Sequence, residues 1–125
     1  MKIPKKMFCV KINGYGGLNK LVYSKEDIPS IGEEEVLIKI YASGVNRPDI
    51  MQRIGSYKPP KEASPLPGLE VSGKVIKKGK HVKNFSVGDK VCALTHGGGY
   101  AEYCSVYWRH VLKIPKGISF IQAAA

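Results

Sequence analysis

Arginine is scarce in this chain. Of 20 basic side chains only Arg47, Arg53 and Arg109 are arginines, against 10 acidic residues and a net charge of +10. A surplus of that size suggests nucleic acid or an anionic ligand as partner. Yet arginine is the residue that makes bidentate phosphate and base contacts, and lysine does not replace it. The densest basic run, Lys74, Lys77, Lys78, Lys80, His81 and Lys83, reads as a strand end followed by a solvated hairpin. Nucleic-acid binding is therefore the weaker reading, kept as a basic β-barrel alternative. Cysteine is sparse too. Cys9, Cys92 and Cys104 lie far apart, and an odd count without a secretory signal argues against a disulfide framework. Small buried apolar side chains are the expectation for all three. No apolar run approaches the roughly 18 residues of a membrane helix. The apolar stretch at residues 7–10, after a basic start, is too short for a signal peptide. The expected compartment is the cytoplasm, with no membrane partner.

Chemical motifs are equally thin. The glycine groups Gly14-Tyr15-Gly16-Gly17 and Gly97-Gly98-Gly99 do not complete a dinucleotide or P-loop pattern. The second leads into a strand, so it offers no helix N-terminus to an anion. Cys-x-x-Cys, His-x-x-x-His and Gly-x-Ser-x-Gly are all missing. Zinc usually takes paired ligands at tight spacing, so the expectation is no metal.

What is present is a series of short apolar runs separated by Gly, Asn, Asp and Pro turns. Strands are predicted at residues 7–12, 21–23, 36–42, 71–76, 90–94, 100–106 and 111–114. In the strongest, Val36, Ile38, Ile40 and Ala42 alternate with Leu37, Lys39 and Tyr41. Short strands at this spacing predict a mainly β barrel or sandwich. A two-turn helix is predicted at residues 46–55, with Asn46 at the N-cap, Pro48 and Asp49 in the first turn and Gly55 as the stop. Ser119 and Gln122 form a capping box before three alanines. A helix that short is not stable alone, so a truncated or split protein is the expectation. Asn46, Arg47, Asp49 and Tyr57 form the one polar cluster of note. Asn and Tyr can orient a carbonyl or an amide. The plainer alternative is that Asn46 caps the helix, Asp49 complements its dipole and Tyr57 packs.

Six segments occur in a familiar order: Val45-Asn46-Arg47-Pro48-Asp49, Gln52 through Tyr57, Pro67 through Gly73, Val87-Gly88-Asp89-Lys90-Val91, Gly98 through Tyr103, and Pro115-Lys116-Gly117 with Gln122 and its alanines. Together they resemble the N-terminal, GroES-like part of medium-chain dehydrogenases/reductases. The branch they are most similar to is the zinc-independent, zeta-crystallin-type quinone oxidoreductases. The resemblance implies a partly open GroES-like β-barrel with short helices over residues 1–118. Residues 119–125 would start the helix that leads to a Rossmann domain absent from this chain. In zinc-dependent members a Cys ligand stands where Asn46 is and a His ligand where Leu69 is, and neither replacement binds zinc. The implied reaction is hydride transfer from NADPH to a quinone or enone. Asn46, Asp49 and Tyr57 match the catalytic cleft positions, and Asn46 and Tyr57 would also face the cofactor. Glu70 would organise the cleft floor. Because the main NADPH site would lie outside the chain, the chain alone is expected to be inactive. The alternatives are a non-enzymatic remnant or a subunit that needs a separately encoded Rossmann portion.

Overall fold

The computed structural model describes residues 2–125. Its elements are strand β1 (Lys6–Ile12), β2 (Leu21–Asp27), β3 (Glu35–Ser43), helix α1 (Arg47–Ile54), β4 (Glu70–Lys78), β5 (Lys90–Leu94), β6 (Tyr103–Tyr107), β7 (Val111–Lys113) and helix α2 (Phe120–Ala123). Five strands form one antiparallel sheet in the order β6-β3-β4-β5-β7, and β1 and β2 form a separate antiparallel pair. The fold is mainly β, and the two sheets do not join into one closed barrel.

The three runs expected at the centre, β3, β4 and β5, are the middle of the large sheet. Their alternation fixes the register. Val36, Ile38, Val71, Val75 and Val91 are all fully buried and pack with Phe85, Val106 and Val111. Leu37 points to the other face of β3, where it is buried with Met7, Cys9, Leu66 and Tyr103 in a second core. β3 is thus apolar on both faces at its start, because the β1–β2 pair covers the side away from the main core. β1 and β2 are held to each other by their ladder and by Phe8 stacked on Tyr23, ring centroids 5.1 Å apart. The Lys6–Asp27 ion pair across them is solvent-exposed and adds little.

One expectation changes. The strand predicted from Tyr100 begins only at Tyr103. Residues 100–102 leave that strand to link the two sheets: Tyr100 O accepts from Val10 N–H, Phe8 O accepts from Glu102 N–H, and Glu102 O accepts from Ile40 N–H. The Glu102 carboxylate also accepts from Phe8 N–H at 2.7 Å. The basic segment after β4 is solvated as expected, with Lys77, Lys78, Lys80, His81 and Lys83 all exposed, and it makes a few local contacts. Lys80 and His81 both reach Glu33, at 2.8 and 3.5 Å, and Lys78 Nζ donates to Phe85 O. Val82 and Phe85 then turn inward to the main core. α2 keeps its predicted capping box and docks through Phe120, whose ring lies 4.4 Å from that of Tyr41.

Truncating Ile38 to alanine empties a site in the main core and should cost about 2–5 kcal/mol in urea unfolding. Leu112→Ala, at a side chain 68% exposed, should stay within about 0.5 kcal/mol of wild type. The thiols should separate in the same way. Cys9 and Cys104 are buried, and burial pushes Cys104 up to about 12. Cys92 is only half-buried. An aromatic disulfide reagent should modify Cys92 in native protein and reach Cys9 and Cys104 only after denaturation.

Candidate functional site

Helix α1 begins where β3 ends. Asn46 takes the extended conformation of an N-cap, and Asp49, in the first turn, accepts from Asn46 N–H through Oδ2 at 2.9 Å. That is the returning half of a capping box, and it places a carboxylate against the positive end of the helix. Gly55 closes the helix at φ +90°. The side-chain amide of Asn46 turns to Glu70 and donates from Nδ2 to Oε1 at 3.0 Å. Glu70 is the first residue of β4, and its backbone carbonyl accepts from Gly44 N–H. A Cβ at position 44 would overlap the Glu70 carboxylate. Glycine there is a condition of the Asn46–Glu70 bridge.

Asp49 is 5% exposed, and its Oδ2 takes a second hydrogen bond from Tyr100 Oη at 2.6 Å. Tyr100 is held over the helix by its loop. Tyr100 N–H donates to Pro67 O, Gly99 N–H to Gly68 O, and Ser43 Oγ to Gly99 O. Burial, with the Asp49 hydrogen bond second, raises the Tyr100 hydroxyl well above the ordinary tyrosine value. The second carboxylate oxygen, Asp49 Oδ1, is buried without a hydrogen-bond partner among the described residues.

The structure therefore joins two of the three expected site residues. Asn46 and Asp49 share one network with Glu70 and Tyr100. Asp49 is enclosed, so its part is to orient Asn46 and Tyr100 rather than to meet a ligand in the open. Tyr57 stands beyond the far end of α1. Its N–H donates to Met51 O, and its hydroxyl makes no hydrogen bond to Asn46 or Asp49. Asn46 is more than a cap, since its amide bridges to β4 and keeps one N–H for a further partner. Sequence reasoning gave Tyr100 no role in the site. It lies 51 positions after Asp49, and no local pattern connects the two.

Beside Glu70 opens a cavity of about 320 Å³, lined also by Cys92, Ala93, Leu94, Arg109, His110 and Leu112. Among the described residues no three His, Cys, Asp or Glu side chains converge as a metal would need. The fit to a dinucleotide pyrophosphate is also poor. The N-terminus of α1 is already occupied by the Asp49 carboxylate, and the 97–99 glycine turn runs on into residues 100–102 and β6.

The profile of the alcohol dehydrogenase GroES-like domain matches residues 32–116, and the chain belongs to that family. It is 37% identical over 121 residues to the synaptic vesicle membrane protein VAT-1 homolog-like of Mus musculus, covering 97% of this chain and 29% of that protein. It is 36% identical over 133 residues to an NADPH-dependent alkenal/one oxidoreductase, chloroplastic, of Arabidopsis thaliana, covering 98% of this chain and 34% of that one. The solved quinone oxidoreductase of Coxiella burnetii superposes with a TM-score of 0.89 at 30% identity, over 96% of this chain and 40% of that chain. The chain thus spans between 29% and 40% of the length of these relatives.

Replacing Tyr100 with phenylalanine removes a hydrogen bond to a buried carboxylate and should cost about 1.5–3 kcal/mol at neutral pH. The pH dependence has a definite sign. A hydroxyl raised in the folded state holds its proton more tightly than in the unfolded chain. Its contribution is complete below the unfolded value of about 10 and is lost as pH rises from there. Denaturant midpoints measured between pH 8 and 11 should therefore fall less steeply for Tyr100→Phe than for wild type.

Proposed function

We propose that this chain is the substrate-side, GroES-like portion of a zinc-independent reductase that passes hydride from NADPH to a quinone or an activated alkene. The observation that carries the reading is the hydrogen bond from Asn46 to Glu70, a residue that lines the cavity, in a chain similar to a quinone oxidoreductase and to an NADPH-dependent alkenal/one oxidoreductase. Asn46 stands in for a thiolate ligand and Leu69 for an imidazole, so zinc has no seat at those positions. Polarisation of the substrate carbonyl then falls to neutral hydrogen-bond donors. The Asn46 side-chain amide is one, held by Glu70, while Asp49, itself bonded by Tyr100, holds the Asn46 backbone N–H.

The reduction consumes a hydride supplied by the nicotinamide and a proton from water. The described residues hold no seat for the rest of the cofactor, so its main binding surface belongs to another portion, in the same polypeptide or in a separate one. What this chain contributes is orientation: a fixed amide beside an apolar cavity, with Tyr57 as a further wall on the cofactor side. Positioning of this kind supplies much of the rate gain in hydride transfer.

The test is NADPH oxidation with a simple benzoquinone, corrected for the uncatalysed rate. The 125-residue chain alone should show neither saturable turnover nor tight NADPH binding. Joined to a dinucleotide-binding portion, it should turn over, and Asn46→Ala should lower kcat by about 100- to 1,000-fold, in line with loss of one oriented donor. Elemental analysis of chelator-washed protein should find no stoichiometric zinc. Saturable turnover by the isolated chain, or bound zinc, would overturn this assignment of roles.

A further inference from the structure

The cavity beside Glu70 is chemically lopsided. Its walls are Ala93, Leu94 and Leu112, and the two leucines are 67% and 68% exposed. Its rim carries Arg109 and His110. Arg109 lies over the Trp108 ring, with the guanidinium carbon 4.5 Å from the centroid. Among the described residues no carboxylate comes within ion-pair distance of Arg109. A cation–π contact of this kind restrains the guanidinium while leaving N–H donors for another partner. His110 is packed edge-on against His96 and Tyr107, at 5.5 and 5.4 Å. The one acid in the cavity, Glu70, accepts from Asn46. A ligand that fills the space meets an arginine without an ion-pair partner, apolar side chains and the Glu70 carboxylate that accepts from Asn46.

We infer that the substrate of this site carries a carboxylate, which pairs with Arg109 while the conjugated carbonyl body lies on Leu94 and Leu112. The inference rests on the reductase reading above and narrows it to acidic quinones or acidic enones. A guanidinium receives a carboxylate through two parallel N–H···O bonds, which a neutral quinone does not offer. The general excess of lysine gives only a diffuse, screened attraction. Selectivity for an anion at this rim would therefore be specific to Arg109. The carboxylate takes no part in the reduction. It fixes which way round the substrate enters.

The test is binding to the chain itself, followed by amide and side-chain NMR at low salt. The probes are 3-benzoylpropionate and its methyl ester, saturated ketones that the half-buried Cys92 thiol does not add to. The acid should shift signals of Arg109, His110, Leu94 and Leu112 and bind at least about tenfold more tightly than the ester. Arg109→Gln should abolish that preference. Lys116→Gln, which removes the same charge from another exposed position, should leave it intact. Equal binding of acid and ester in the cavity would overturn the anionic substrate and leave the reductase reading standing. Shifts scattered over lysines, or acid binding indifferent to Arg109→Gln, would show nonspecific attraction and overturn the inference, as would no binding by either probe. Failure of the reductase reading shows separately, in the NADPH and benzoquinone assay.

Discussion

Asp49 Oδ2 receives hydrogen bonds from two directions, one from the start of its own helix and one from a tyrosine that arrives 51 residues later. The carboxylate lies in a nearly water-free position, where an unmet charge is expensive and a met one is firmly held. Both donors are attached to stiff pieces of backbone. Asn46 follows directly from β3, and Tyr100 hangs from a loop braced by Pro67, Gly68 and Ser43. The carboxylate therefore locks helix α1, the end of β3 and the loop before β6 into one arrangement. The Asn46 amide gains its direction from that lock, and Glu70 completes it from β4. Without Asp49 the helix start would lose its returning cap and its tie to Tyr100.

Much of the fold could be read in the chain because it depends on short-range pattern. The alternation in β3, β4 and β5 and the positions of Asn46 and Gly55 around α1 depend on residues next to each other in sequence. The capping box of α2 is equally local. The departures occur where distant segments compete for the same backbone groups. Residues 100–102 look like the start of a strand, yet β1 and β3 claim their carbonyls and amides first. β2 runs to Asp27 although only its first three residues are apolar, because β1 supplies a full seven-residue ladder for it to pair with.

The site divides along the same line. Asn46 and Asp49 were visible as residues at a helix start, and the order of six segments pointed to the family that the profile match shows. That Asn46 bridges to Glu70, that Asp49 is enclosed, and that Tyr100 reaches it are facts of packing between α1, β4 and a glycine-rich loop. Tyr57 is three residues past the helix end and makes no hydrogen bond to that network. The cavity rim of Arg109 and His110 had no motif at all. It exists because a tight turn, Trp108–His110, delivers both side chains to the edge of the sheet beside β5.

That turn has an optical consequence. Trp108 is the only tryptophan in the chain, and the Arg109 guanidinium is stacked on its ring at the cavity edge. Indole emission is sensitive to a cation against its face and to any group that draws the cation away. The intrinsic fluorescence of the whole molecule thus comes, apart from tyrosine, from a single corner of the cavity. A ligand that recruits Arg109 changes the colour and yield of that light, so occupancy can be followed without a label and without altering a residue.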